Sequence, residues 1–207
     1  MIGTVRTVYQ QRRSMRVYLI RHAQSEGNVM DLRAATTVAE FNMLLRRMPD
    51  LPLTAEGERQ ARVLAEQLVG AGIDRLYSSP FVRALHTAQV IGAGLGLEPV
   101  IIEELREVVP GLASERRRTS SLRRHWIRSF AAMARPHGHG PSWGAEYRRA
   151  RSAWLRITAE PAGAVAAVSH AWTISMILLA LRRDHHWRVV TRDLRNAGVT
   201  IIEQRND

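Results

Sequence analysis

The chain has 207 residues, 45% of them hydrophobic and 24% charged, the composition of an ordinary globular protein and not of a disordered or fibrous one. It contains no cysteine, which excludes disulfides, thiol nucleophiles and thiolate metal sites. Thirty basic against nineteen acidic residues give a net charge of +11, and every basic residue is arginine. That balance favours an anionic partner (nucleic acid, an anionic membrane or a phosphorylated small molecule) without choosing among them.

In chain order, residues 1–14 carry Arg6, Arg12 and Arg13 but no apolar stretch of signal-peptide length behind them. Met15 opens the run Met-Arg-Val-Tyr-Leu-Ile, so residues 1–14 read as an N-terminal extension and 15–207 as the domain. The expected location is the cytoplasm. Residues 16–20, β-branched and aromatic, predict a strand that ends at Arg21-His22. Residues 29–50 read as a helix or loop excursion. Thr54 then predicts a helix N-cap, with Glu56 and Glu58 in the first turn and Ala61, Leu64, Ala65 and Leu68 on the apolar face, stopped by Gly70 or Gly72.

A short strand at Arg75–Ser78 leads to Ser79-Pro80, read as an N-cap followed by proline at the first helical position. The next helix is expected to bury Phe81, Ala84, Leu85 and Ala88. Residues 99–102 predict a strand, Ala164–Ser169 a fully buried one, and residues 198–203 a last one. Residues 162–181 are long enough to span a bilayer, but Gly163, Ser169, His170, Thr173 and Ser175 interrupt them. Ile174, Ile177, Leu178 and Leu181 follow helical spacing, so the stretch reads as strand, turn and helix in a core.

Strands alternating with helices predict an α/β fold, a three-layer α/β/α sandwich with a mostly parallel central sheet. Such sheets gather ligands at the carboxyl ends of their strands. Three predicted strands end there in Arg21-His22, Ser78-Ser79 and Ser169-His170.

The segment Arg21-His22-Ala23-Gln24-Ser25-Glu26-Gly27-Asn28 resembles the signature of the histidine phosphatase (phosphoglycerate mutase-like) superfamily, with Ala23 in place of the usual glycine. The likeness recurs in order: Leu53-Thr54-Ala55-Glu56-Gly57 with Gln60-Ala61, the block from Ser78 to Ala88, Leu105-Arg106-Glu107 with Gly111, and Val168-Ser169-His170-Ala171-Trp172 with Ile174. It implies a phosphoglycerate mutase-like fold and a phosphatase. An enzyme that removes a phosphoryl group with its own side chains needs a nucleophile, cationic donors for the phosphoryl oxygens and an acid for the leaving oxygen. His22 fits the nucleophile. Arg21, Arg83 and His170 fit the donors, and Asn28 adds a neutral one. Glu107 fits the general acid, provided burial raises its pKa. The resemblance implies the same roles for these positions.

Several residues depart from the family pattern. Ala171 and Trp172 replace two glycines, Leu112-Ala113-Ser114-Glu115 stands where Trp-Glu-Gly is usual, and Pro141 stands where a glutamate is expected. Trp172 reads either as a wall of the site or as a core tryptophan. Gln24 and Ser25 are candidate substrate contacts through their position after His22. His137-Gly138-His139 and His185-His186 lack the companions of a metal site, so no metal or other cofactor is expected.

Twelve arginines and three acids fall between residues 106 and 156, most of the net charge. Residues 108–160 are expected to form an arginine-rich cap insertion, with Arg116, Arg117 and Arg118 drawing in a strongly anionic substrate. The function expected is a metal-independent phosphatase acting on a small phosphomonoester through phospho-His22, with Glu107 as acid and base. The alternatives are a phosphoglycerate mutase-type phosphoryl transferase and a non-catalytic binder of acidic partners or nucleic acid on the same fold. No aromatic-interleaved basic motif supports nucleic acid. A small phosphorylated molecule is the expected partner, without membrane, and a homodimer is compatible with the sequence.

Overall fold

The computed structural model describes residues 14–113, 119–135, 141–160 and 163–205. Arg116, Arg117, Arg118 and the His137-Gly138-His139 stretch lie outside the described residues, as do residues 1–13.

The strands, in chain order, are β1 (Arg16–Arg21), β2 (Ala35–Thr36), β3 (Arg75–Ser78), β4 (Val100–Ile101), β5 (Ser120–Ser121), β6 (Ala164–Ser169), β7 (Trp187–Thr191) and β8 (Val199–Gln204). Six of them form one sheet in the order β4-β3-β6-β1-β8-β7, and β2 pairs with β5 in a separate ribbon. Along the sheet β4, β3, β6 and β1 are parallel neighbours; β8 runs antiparallel to β1, and β7 antiparallel to β8. The helices are α1 (Val38–Arg47), α2 (Ala55–Leu68), α3 (Val82–Leu95), α4 (Leu122–Ala132), α5 (Trp143–Ile157) and α6 (Ala171–Leu181).

The period-2 alternation of a strand sorts the core into two layers. On one face Val17, Leu19, Val165 and Ala167 pack with Trp154 and Ile157 of α5 and Ile174 and Ile177 of α6. On the other, Tyr18, Ile20, Ala166 and Val168 pack with Leu64 and Leu68 of α2 and Ala84, Ala88 and Ile91 of α3. Both faces are therefore covered, as a parallel sheet requires. β6 is buried along its whole length, and each large apolar side chain sealed this way contributes about 1.5–3 kcal/mol.

Thr54 caps α2 as its sequence predicts, its side chain accepting from the Gly57 amide at 3.1 Å. Ser121 and Ser142 cap α4 and α5 in the same way, and Thr37 with Glu40 closes a capping box on α1. α2 ends at Leu68, and the chain turns at Gly70 with φ +82°.

Three local expectations need correction. α3 starts at Val82 with an extended Phe81 as N-cap, not at Ser79-Pro80; the Ser79 hydroxyl accepts from the Phe81 amide and also meets His170. The face that α3 buries includes Arg83 and Thr87, while Leu85 is only half-buried. The strand expected over 99–102 is reduced to two exposed residues at the sheet edge. β7 went unread because, as an edge strand, it is exposed on both faces and shows no alternation.

Candidate active site

Four parallel strands deliver their carboxyl ends to one rim. β1 ends at Arg21 and hands on to His22, whose amide donates to the Ser169 carbonyl at 2.9 Å; the Ser79 amide donates to Val168 at 2.9 Å, and the Ile102 amide to Ser78 at 2.8 Å. Beyond β4 a 3-10 turn at Glu103–Leu105 brings in Glu107. Neighbouring strand ends thus carry Arg21-His22, Ser79 with Arg83 one turn later, Glu107, and His170.

His22 is buried, and its Nδ1 lies 2.7 Å from the Ala23 carbonyl. A carbonyl only accepts, so Nδ1 carries the proton and Nε2 carries the ring's lone pair. Arg83, also buried, donates from Nε to that Nε2 at 3.1 Å and from Nη1 to the Met48 carbonyl at 2.5 Å. The imidazoles of His22 and His170 stand 5.1 Å apart.

His170 is held by Ser79. The Ser79 Oγ accepts from the Phe81 amide at 3.2 Å and lies 2.8 Å from His170 Nε2, the hydroxyl donating to this nitrogen in the Nδ1–H tautomer and accepting from it in the other. His170 Nδ1 is buried without a protein partner among the described residues, and Arg21 Nε is in the same condition. The other edge of Arg21 donates to the Leu194 carbonyl at 2.8 Å.

Burial first, then the Arg83 charge, pushes His22 down to about 3, against the opposing pull of the Ala23 carbonyl. His170 is driven well below its ordinary value by burial and then by His22. Burial lowers Arg83 to about 10 and lowers Arg21, leaving both charged at neutral pH. Glu107 is raised by burial of its carboxyl, although the Val108 amide at 2.9 Å, Arg83 and the Thr173 amide at 3.4 Å all favour its charged form. The pocket therefore holds two guanidinium charges, two neutral imidazoles and an acid biased toward its proton. That charge matches a dianion.

Other sequence candidates sit less directly. The Ser25 hydroxyl is buried against Asn28 Oδ1 at 3.1 Å, and Gln24 Oε1 accepts from Thr54 Oγ1 at 2.7 Å, so both side chains tie the loop after His22 to its surroundings. Asn28 is exposed; its Oδ1 also accepts from Asn196 Nδ2 at 2.9 Å. Trp172 is not a core residue. It is 45% exposed, and its ring lies 5.4 Å from both Phe130 of α4 and Trp143 of α5. No cluster of three metal-ligating side chains occurs among the described residues.

Sequence reasoning missed Ser79 as the partner of His170, Thr173 as a donor to Glu107, and Asn196, whose Nδ2 donates to the His22 carbonyl at 3.2 Å. Ser79 and Thr173 lie inside recognised blocks; Asn196-Ala197-Gly198 carries a turn signal, with Ala197 at φ +56°.

Comparison with known proteins decides the family. The model of the histidine phosphatase superfamily (branch 1) matches residues 17–207. The chain belongs to that superfamily. It is 30% identical over 199 residues to "Putative phosphoserine phosphatase 2" of Hydrogenobacter thermophilus, covering 93% of this chain and 91% of that protein. It is also 35% identical over 102 residues to "Probable phosphoglycerate mutase GpmB" of Serratia proteamaculans, but that match spans 49% of this chain and only 42% of the relative.

Among solved structures, a phosphoglycerate mutase from Bacillus anthracis superposes with a TM-score of 0.66 at 19% identity, covering 93% of this chain and 89% of the other. A phosphoserine phosphatase of Entamoeba histolytica in complex with phosphoserine gives 0.61 at 23%, covering 90% and 89%. These likenesses establish the phosphoglycerate mutase-like fold of this histidine phosphatase family member. No helix among the described residues is long and apolar enough to cross a membrane.

Proposed function

We propose that this chain is a metal-independent phosphatase that hydrolyses small phosphomonoesters through a phosphohistidine on His22. The observation that carries the reading is the pair of buried, partnerless polar atoms, Arg21 Nε and His170 Nδ1, in the pocket where Arg83 donates to His22 Nε2. A buried donor left without an acceptor costs about 1–3 kcal/mol, and a phosphoryl group supplies acceptors to Arg21 Nε and, in its Nδ1–H tautomer, to His170.

In the proposed reaction His22 Nε2 attacks phosphorus, and the bond from phosphorus to the leaving oxygen breaks as Glu107 gives that oxygen its proton. The phosphorylated ring gains positive charge, which the Ala23 carbonyl stabilises through Nδ1–H. Arg21, Arg83 and His170 hold the equatorial oxygens throughout. Glu107, now a carboxylate, takes a proton from water as the water oxygen attacks phosphorus. The P–N bond breaks and its electron pair returns to Nε2.

The substrate class we infer is a small anionic metabolite. Relatives named for phosphoserine and the complex with phosphoserine support it. In this reading α4 belongs to the cap expected over 108–160, whereas α5 departs from that expectation and packs on the central sheet through Ala150, Ala153, Trp154 and Ile157. The exposed arginines 123, 124 and 128 of α4 and 148 and 151 of α5 supply an attracting field. The matches to mutases favour a second reading, transfer of the phosphoryl group to another hydroxyl.

Hydrolysis of p-nitrophenyl phosphate in excess chelator, wild type against His22→Ala, tests the proposal. Turnover by the wild type and its loss in the variant are expected. Activity that survives the substitution contradicts the nucleophile, and an inactive wild type points to the binding-protein alternative. Product analysis with phosphoglycerates separates hydrolysis from transfer.

A further inference from the structure

The acid Glu107 follows the 3-10 turn at Glu103–Leu105, past the last regular backbone bond of that turn. Among the described residues its carboxyl accepts hydrogen bonds from the Val108 and Thr173 amides alone, so its place is set by the backbone of residues 104–107. Three consecutive carbonyls of that backbone are pinned by side chains. Arg149 Nη1 donates to Glu104 O and, at 2.8 Å, to Arg106 O; Ser169 Oγ donates to Leu105 O at 2.7 Å; and Thr173 Oγ1 donates to Arg106 O at 2.6 Å.

Ser169 and Thr173 flank His170, so they belong to the strand and helix that present the site. Arg149 comes from α5, a separate element. Its other edge, Nε and Nη2, lies on the Glu146 carboxylate, with Nε at 2.8 Å. Glu146 is 2% exposed and also receives Arg106 Nη2 at 3.4 Å. Burying a carboxylate between two arginines is a poor source of stability, because desolvation offsets the attraction. The arrangement does fix a planar fork in one orientation, which lysine would not do.

We propose that Arg149, oriented by Glu146, is a positioning residue that clamps the 104–107 backbone and so aims Glu107 at the leaving oxygen. This rests on the reading of Glu107 as general acid. Displacing a catalytic group by about 1 Å costs on the order of 100-fold in rate. The loss must grow with the basicity of the leaving group, since a weakly basic leaving group departs without a proton. A merely structural contribution would lower all substrates alike.

The test compares kcat/KM for p-nitrophenyl phosphate and for phenyl phosphate, whose phenolate is the stronger base. Arg149→Met is expected to lower phenyl phosphate turnover about 100-fold and p-nitrophenyl phosphate turnover about 10-fold or less. Arg149→Lys should show the same bias with a smaller loss. The ratio of the two values is independent of the fraction of folded enzyme, and the lysine variant carries the test where the methionine variant does not fold. Glu107→Gln is the reference and should show the strongest bias. An unchanged ratio in both Arg149 variants, beside a biased Glu107→Gln, overturns the clamp alone. An unbiased Glu107→Gln overturns the acid reading beneath it.

Discussion

The Ala23 carbonyl sits 2.7 Å from Nδ1 of His22, and this one contact selects which ring nitrogen can react. With Nδ1 protonated, Nε2 presents a lone pair, and Arg83 Nε already lies 3.1 Å from it. The same guanidinium that meets the nucleophile is thus in place to meet the oxygens of whatever Nε2 attacks. Ala23 stands where a glycine is usual, yet only its backbone is needed, and its methyl is buried against Leu53 and Ala61.

The first prediction concerns pH and rate. Glu107 must hold its proton for the first step, and burial lifts its pKa above the ordinary carboxylate value. As pH rises through that raised value, kcat/KM should fall tenfold per unit. Glu107→Gln should remove this alkaline limb and lower the rate about 100- to 10,000-fold. Steady-state profiles of the two proteins on phenyl phosphate check it; a limb retained in the glutamine variant assigns the proton elsewhere.

Stability should carry the mark of the buried histidines. Unfolded histidine takes up a proton near 6.5, whereas folded His22 resists until about 3 and His170 is also strongly depressed. Between those values the unfolded chain binds more protons, so stability falls as pH falls, by about 1.4 kcal/mol per pH unit for each such histidine. His22→Gln should flatten the dependence between pH 6 and 4 by about that slope. Urea titrations across this range measure it, and equal slopes would mean that His22 is not held neutral by the fold.

Gly57 is predicted to be intolerant of even one methyl. It sits in the first turn of α2, where an added Cβ would collide with the Gln24 carbonyl, two residues after His22. That backbone is also gripped by the Thr54 amide at 3.0 Å and by Gln60 Oε1 at 2.9 Å from the Gln24 amide. Gly57→Ala should cost about 1–3 kcal/mol and lower kcat/KM as well, because relief of the clash moves the loop that carries His22. Denaturation and kinetics on the same preparation test both halves; a fully stable, fully active variant refutes the close approach.

Much of this arrangement was legible in the sequence, for physical reasons. Strands buried on both faces, such as β6, and helices with clean apolar stripes, such as α2, declare themselves by pattern. The rim residues did so by following those strands. β7 did not, because an edge strand exposed on both faces has no alternation to read. The start of α3 differs from the local rule because Ser79 does accept from the Phe81 amide, as a cap would, yet Phe81 itself stays extended and the helix begins at Val82. The same hydroxyl also meets His170, 91 residues away in sequence. In the sequence Arg149 is one of twelve arginines between residues 106 and 156, with nothing to single it out. Its meaning depends on three backbone carbonyls and a buried glutamate that only the fold brings to it.

The central claim is that His22 Nε2 becomes phosphorylated. It is tested most directly by rapid acid-free quenching of the enzyme during turnover of p-nitrophenyl phosphate, followed by mass analysis of its peptides under alkaline conditions that preserve phosphohistidine. The account predicts a single phosphoryl addition on the peptide containing His22, discharged on acidification and absent in His22→Ala. Phosphoryl label on another residue, or undiminished turnover by His22→Ala, would contradict it.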